Sequence, residues 1–279
     1  IFNQMLESDV PEDPYLSKEL VRYFPKALQE RFADDMQGHR LRREIIATAV
    51  TNSLVNRMGS TFMMRMQEDT GESPAQVAKA YSIAREVTDA RDLWAGIDAL
   101  DLQVPESAQL DALMLIWNVL RNMTRWLLNR PGERLDIAHA VSRYKPGVEL
   151  LREALGGVLV GEDRAQFAEE RAAWLDHGFS QQLAEQLAGL PFIISALDMI
   201  EVALERGFEV RDVAKIYFGL GDALHLKWLL QKIDELPVTE IVRDVASARS
   251  RTEARCAPAV ASLSEQRNDD LAHLVAQPF

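Results

Sequence analysis

Cysteine is nearly absent. The single thiol, Cys256, can close no intrachain disulfide and cannot build a multi-cysteine zinc site, a usage expected of a protein in a reducing cytoplasm. Glycine and proline are sparse as well: 14 and 11 among 279 residues are too few for an all-β chain that turns every ~10 residues. Positive charge is short too. Against 43 Asp and Glu there are 31 Lys and Arg, a formal net charge of −12. A surface that acidic repels phosphate backbones, so no nucleic-acid partner is expected. Arg40, Arg42 and Arg43 are a local exception, but Glu44 follows at once and the group reads as a basic helix start with acidic neighbours. Long apolar runs are missing. The most apolar stretch, Leu110 to Leu128, is interrupted by Asp111, Asn118, Arg121, Asn122 and Arg125, so no membrane span is expected. There is no secretory signal, and a first residue of Ile1 rather than Met is expected of a piece of a longer chain.

What is present is helical patterning. Leu41, Ile45, Ile46, Ala49, Val50 and Leu54 recur at three- and four-residue steps, which places them on one helix face. Gly71 can supply a left-handed cap to the helix that follows them. Ser73-Pro74 predicts a helix start, with the serine oxygen capping free amides and proline where its missing N–H costs nothing. Further helices are expected through Leu93 to Leu100, from Pro105 to about Asn129, and over Glu133–Arg143, Pro146–Leu159 and Asp163–Leu175. Ser180 caps the next one, and Pro191 opens another that ends at Gly207. No window alternates with period two. The expected fold is all-α: a multi-helix bundle without a sheet.

The expected organisation is a linker and first short helix over 1–24, a helical subdomain over 25–131, a second over 132–236, and a C-terminal helical tail over 237–279 broken or kinked at Pro258. The second subdomain repeats a hairpin of the first. Val77-Ala78-Lys79-Ala80-Tyr81 matches Val213-Ala214-Lys215-Ile216-Tyr217, and the same spacing aligns Leu93 with Leu229, Ile97 with Ile233, Asp98 with Asp234, Leu100 with Leu236 and Gly71 with Gly207. Two copies of one helical hairpin would share stripe and cap residues of this kind, although amphipathic helices also resemble one another by chance.

Nothing in the sequence assembles into a catalytic, cofactor or metal site. His39, His139, His177, His225 and His273 have no His or Cys partner at a ligand spacing and read as helix-end or partly buried residues. Ser195 lies in an apolar helix without a nucleophile elbow, so it reads as a small packing residue. Gly219-Leu220-Gly221 is followed by Leu224 where a dinucleotide fingerprint needs glycine, and no strand precedes it; a close helix crossing or a kink is expected there. Asn52 and Asn56, four apart, lie on or beside an apolar stripe with Arg57 and Gly59. Buried amides must find partners, so Asn52, Asn56 and Arg57, with Arg42 and Arg43, are candidates for contact with another helix end or another domain. Met58, Met63, Met64, Met66, Trp94, Trp117 and Trp126 could line a ligand pocket, but methionine more often fills core gaps.

The blocks Tyr23-Phe24-Pro25-Lys26, Arg31-Phe32 and His39-Arg40-Leu41-Arg42-Arg43-Glu44-Ile45-Ile46-Ala47-Thr48 resemble the segment after the catalytic domain in the large bacterial NAD-dependent glutamate dehydrogenases. The likeness continues through Val55-Asn56-Arg57, Gly59, Thr61-Phe62, Thr70-Gly71, Ala80-Tyr81 and Ala84-Arg85-Glu86-Val87. It returns at Tyr217-Phe218, Leu220-Gly221, Trp228-Leu229 and Leu236-Pro237-Val238. After Pro237 the family usually carries a His-Trp pair, whereas Glu240-Ile241 stands here.

The resemblance implies a cytoplasmic, homo-oligomeric parent enzyme that oxidises L-glutamate to 2-oxoglutarate and ammonium with NAD. Its nucleotide fold and catalytic lysine would lie upstream, in a domain that is this segment's partner in the same chain. No residue here matches those motifs, so the segment is expected to be a non-catalytic structural or regulatory region. The alternatives are an independent helical interaction module with a partner groove and a helix-turn-helix DNA reader, which the charge opposes.

Overall fold

In the computed structural model, residues 1–130 and 135–234 are described, except the side chains of Ala33, Leu230, Gln231, Ile233 and Asp234. The end of the long helix at Pro131-Gly132, the tail over 237–279 with Cys256, Pro258 and His273, and the Leu100–Leu236 pairing lie outside the described residues.

The described residues are helical and contain no strand. The all-α expectation holds. The helices are α1 (Phe2–Leu6), α2 (Ser17–Tyr23), α3 (Lys26–Gln37), α4 (Arg42–Met58), α5 (Phe62–Thr70), α6 (Pro74–Val87) and α7 (Ala90–Asp98). They continue as α8 (Glu106–Leu128), α9 (Ile137–Val158), α10 (Gly161–Asp176), α11 (Gln181–Gly189), α12 (Ala196–Arg206), α13 (Val210–Ala223) and α14 (Leu226–Asp234). Short 3-10 turns occupy Val10–Glu12, Pro14–Leu16 and Leu190–Ile193. No single described helix is long and apolar enough to cross a membrane. The apolar stretch Gln181–Arg206 is bent by 70° near Ser195, and Leu187, Leu190, Ile193, Leu197 and Ile200 within it are buried.

The chain divides into two compact units. The first comprises residues 1–101 and 109–145; the second comprises 102–108 and the described residues from 146 onward. In the first, α6 is the central helix. Ser73 accepts a hydrogen bond from the Gln76 amide at 3.3 Å, as its position before Pro74 predicts. The apolar face of α6, with Val77, Ala80, Tyr81 and Ala84, is fully buried. Residues 1–24, expected as a linker and one short helix, differ from that reading in their packing. Met5, Val10, Leu16 and Leu20 are all buried, and α1 and the Val10–Glu12 turn pack on α4 and α6. Four apolar anchors spaced too irregularly for a helical period are enough to fix this segment, while its Asp and Pro residues form turns. Asp13, for example, accepts from the Tyr15 amide at 2.9 Å.

In the second unit, α10 packs on α11, α12 and α10 pack on α13, and Ser180 caps α11 through the Leu183 amide at 3.3 Å. Two details differ from expectation. Pro146 does not open a helix but lies inside α9; Val148, Leu151 and Leu155, which follow it in this unit, are buried, and the helix continues through the proline despite the lost amide. The helix expected from Pro191 begins instead as a 3-10 turn and restarts at Ala196.

The two hairpins matched in sequence have matching element lengths. Helices α6 and α13 each have 14 residues, and α7 and α14 each have nine. Gly71 and Gly207 both adopt left-handed backbones (φ +73° and +69°), and so do Asp89 and His225 at the hairpin bends (φ 50° and 51°). The hydrogen bonds differ in register. Tyr81 bonds Ser53, whereas the Tyr217 hydroxyl bonds Ser195 at 2.8 Å.

Candidate functional site: a buried charge network on α6

An apolar helix face that carries an arginine must supply it with acceptors, because an unpaired buried charge is strongly destabilising. Arg85 follows Tyr81 by one helical turn and is 1% exposed. Its Nη1 donates to Ser53 Oγ on α4 at 2.8 Å, and its Nη2 donates to Glu19 Oε1 on α2 at 2.8 Å and to Glu86 Oε1 at 3.2 Å. Glu19, itself only 5% exposed, also receives Arg91 Nη2 from α7 at 2.6 Å. Glu86 Oε2 accepts from Lys18 Nζ at 2.6 Å and from the Tyr15 hydroxyl at 3.2 Å. Lys18 lies 3.6 Å from the centroid of the Tyr15 ring. Tyr81 completes the cluster, its hydroxyl 3.1 Å from Ser53 Oγ. Three stretches distant in sequence, residues 15–19, Ser53 and residues 81–91, thus meet around one guanidinium.

A second tie runs parallel to it. Lys79, nearly buried on α6, donates to Asp9 Oδ2 at 2.8 Å and lies 3.8 Å from Asp13 Oδ2. Burial raises the Asp13 pKa, against the Tyr15 amide and the Lys79 charge, which lower it.

The electrostatics favour this arrangement. Burial opposes ionisation of Glu86, but the Lys18 hydrogen bond and the charges of Arg85, Lys18 and Arg91 outweigh it, and its pKa falls from 4.5 to about 2. Burial lowers the Lys18 pKa, because Glu86 only partly offsets the ammonium's desolvation. The two partners pull in different senses. The carboxylate's depression is the firmer direction, since several independent donors converge on it. Burial, then the Glu86 charge, pushes Tyr15 up to about 12. Each carboxylate in the cluster is engaged by at least two cations. The arrangement is therefore suited to clamping helices together.

The residues singled out from the sequence fall elsewhere. Arg42 and Arg43 both pair with Glu12, Arg42 at 3.5 Å, and Arg43 Nη2 also donates to the Leu6 carbonyl at 2.8 Å. They tie α4 to the N-terminal segment. Asn52 and Asn56 are exposed, not buried, so they face away from the stripe they follow in sequence. Arg57 is exposed, stacks 4.6 Å from the Trp94 ring centroid and lies 3.4 Å from Asp98 Oδ2. The structure brings Arg42 and Arg43 together, but not with Asn52, Asn56 or Arg57 into one cluster.

Met58, Met63, Met66 and Trp94 are buried in the core, while Met64 is exposed. The Trp117 indole donates to the Met58 carbonyl at 3.0 Å, and Trp126 stacks edge-on against Tyr144. Gly219 and Gly221 sit within α13, and a Cβ at either would meet open space, so no close crossing occurs there. His39, His139, His177 and His225 are exposed. Among the described residues, no group of three His, Cys, Asp or Glu side chains could hold a metal ion.

Sequence reasoning missed Tyr15, Lys18, Glu19, Ser53, Arg85 and Arg91 as a group. One signal was available. Arg85 interrupts a stripe of Val77, Ala80, Tyr81 and Ala84, and a charge at such a position demands partners. Which partners these are, some 66 residues away for Glu19, is set only by the fold.

An all-helical unit clamped by internal ion pairs is a structural class. Its family is defined by comparison: residues 1–266 match the family model described as "Glutamate dehydrogenase, C-terminal", and the chain belongs to that family. It is 39% identical over 234 residues to an NAD-specific glutamate dehydrogenase of Pseudomonas aeruginosa, covering 84% of this chain. It is 35% identical over 247 residues to that of Halomonas elongata, and 30% identical over 236 residues to that of Mycobacterium tuberculosis, covering 88% and 84% of this chain. The chain spans only 14% to 15% of the length of these relatives.

Proposed function

We propose that this chain is a non-catalytic bracing module of an NAD-dependent glutamate dehydrogenase, a parent that oxidatively deaminates L-glutamate to 2-oxoglutarate and ammonium. The observation that carries the reading is the buried ion-pair network around Arg85. Its carboxylates and cations are engaged with one another across α2, α4, α6 and α7, a use of charge that stiffens a scaffold. General acid–base chemistry instead needs groups poised near the working pH. The Glu86 pKa of about 2 is far from that range. NAD binding and the reacting groups belong, on this reading, to the upstream catalytic domain of the same chain, in a cytoplasmic homo-oligomer.

The matching lengths of α6 with α13 and α7 with α14, with left-handed residues at corresponding positions, support a duplicated hairpin unit within the module. Arg42, Arg43, Asn52, Asn56 and Arg57 stay candidates for interdomain contact; Asn52, Asn56 and Arg57 have the exposure such a role needs. Calorimetric titration of the purified chain with NAD, and a glutamate turnover assay, test the proposal. Neither heat of saturable binding nor turnover is expected. Saturable micromolar NAD binding would overturn it.

A further inference from the structure

Helix α3 is under-packed for its length. Its 12 residues, Lys26–Gln37, follow Pro25, and its packing within the first unit is chiefly against α2. A helix of ~12 residues is marginal in water unless it buries an apolar stripe. Such a stripe exists. Leu28, Phe32 and Met36 recur at four-residue steps, with a kink at Phe32 between the two outer members. Met36, at one end, is 5% exposed, but Leu28 and Phe32 are 41% and 38% exposed. The backbone leaves helical geometry at Phe32 (φ −126°, ψ 23°), where the stripe emerges from the unit. The elbow on either side continues the apolar surface. Tyr23 and Leu41 are 60% and 50% exposed. They are linked through the Phe24 ring, 5.7 Å from both the Tyr23 and His39 rings, and through the Leu41 amide, which donates to His39 Nδ1 at 3.1 Å.

We propose that this α2–α3 elbow is the surface by which the module docks on the polypeptide that precedes it in the parent enzyme, an inference that rests on the bracing reading above. Length and position point to that occupant. The relatives are several times longer than this chain, which matches 14% to 15% of them, and the family model is a C-terminal one, so the bulk of such a protein lies ahead of it. The elbow is formed by the first 41 residues, the part nearest that bulk. Its chemistry is that of an interface: exposed apolar residues interspersed in sequence with the exposed charges of Lys26, Arg31, Asp34 and Asp35, the Arg31 guanidinium 5.3 Å from the Phe32 ring centroid.

Hydrogen exchange of α3 in the full-length parent enzyme, set beside the same helix in the chain alone, tests the inference. Exchange at least about tenfold slower in the full-length enzyme is expected. The double variant Leu28→Asp/Phe32→Asp in the full-length enzyme should abolish that difference, whereas Leu110→Asp, on an exposed face of α8, should not. Equal exchange in the two unsubstituted proteins, a comparison that needs no variant to fold, would overturn the assignment. So would protection that the double variant leaves intact, or protection in the chain alone that grows with its concentration, which would assign the elbow to a second copy. Failure of the bracing reading looks different: NAD then binds to the chain itself, whatever α3 does.

Discussion

Replacing Glu19 by alanine removes the acceptor that joins α2 to the buried guanidinium of Arg85. That side chain is fully enclosed, and Glu19 supplies one of its three hydrogen bonds, at 2.8 Å. Breaking a buried ion pair from one side costs about 3–5 kcal/mol, because the remaining charge is left uncompensated. Ser53 Oγ and Glu86 Oε1 still accept from Arg85, which brings the expected loss to the lower part of that range, about 3 kcal/mol. Arg91, more than a third exposed, adds less than about 1 kcal/mol when it loses the same carboxylate. Glu19→Gln keeps an acceptor and should lose about half as much. Urea unfolding followed by far-ultraviolet circular dichroism reads these differences, with Glu12→Ala as the reference. Glu12 is exposed and pairs with Arg42 and Arg43 at the surface, so its loss should stay within about 1 kcal/mol. If Glu19→Ala costs no more than Glu12→Ala, the network is not a clamp.

Other outcomes follow from the same packing. Glu86 has a folded pKa of about 2 against an ordinary 4.5, so its contribution of about 3 kcal/mol is present above pH 4.5 and is lost as pH falls toward 2; an acid titration of stability should flatten across that window in Glu86→Gln. Gly147→Ala should lose about 1–3 kcal/mol in thermal or urea unfolding, because its Cβ would lie 2.6 Å from Ile200 Cγ1. Gly219→Ala, inside α13 with open space around the added methyl, should instead gain about 0.5–1 kcal/mol in the same assay. Ser73→Ala should lose about 1 kcal/mol by removing the cap of α6.

Much of the fold was legible because it depends on neighbours in sequence. Ser73-Pro74, Ser180, Gly71 and Gly207 act within one helical turn, and each stands where its local chemistry places it. The stripe of α4 was also readable, except that Leu41 stands outside the helix and is half exposed. Long-range facts were less accessible. Residues 1–24 read as a linker and one short helix because Asp9, Pro11, Asp13 and Pro14 punctuate them, yet Met5, Val10, Leu16 and Leu20 are buried in the first unit. Pro146 read as a helix start because proline favours that position; tertiary packing of α9 overrides the preference. Asn52 and Asn56 share a face with each other, as their spacing requires, but the apolar members of α4 point the other way. The charge network was hidden for the same reason: it joins Tyr15, Lys18 and Glu19 to Arg85 and Glu86, and no sequence period links them.

On the bracing proposal, this chain stiffens a larger enzyme and leaves the chemistry to the rest of it. Deleting the segment from the full-length parent and measuring NAD affinity together with the thermal midpoint of the remainder separates the two roles. An unchanged affinity and a lowered midpoint are expected. A folded remainder that retains its midpoint but no longer binds NAD would contradict the proposal.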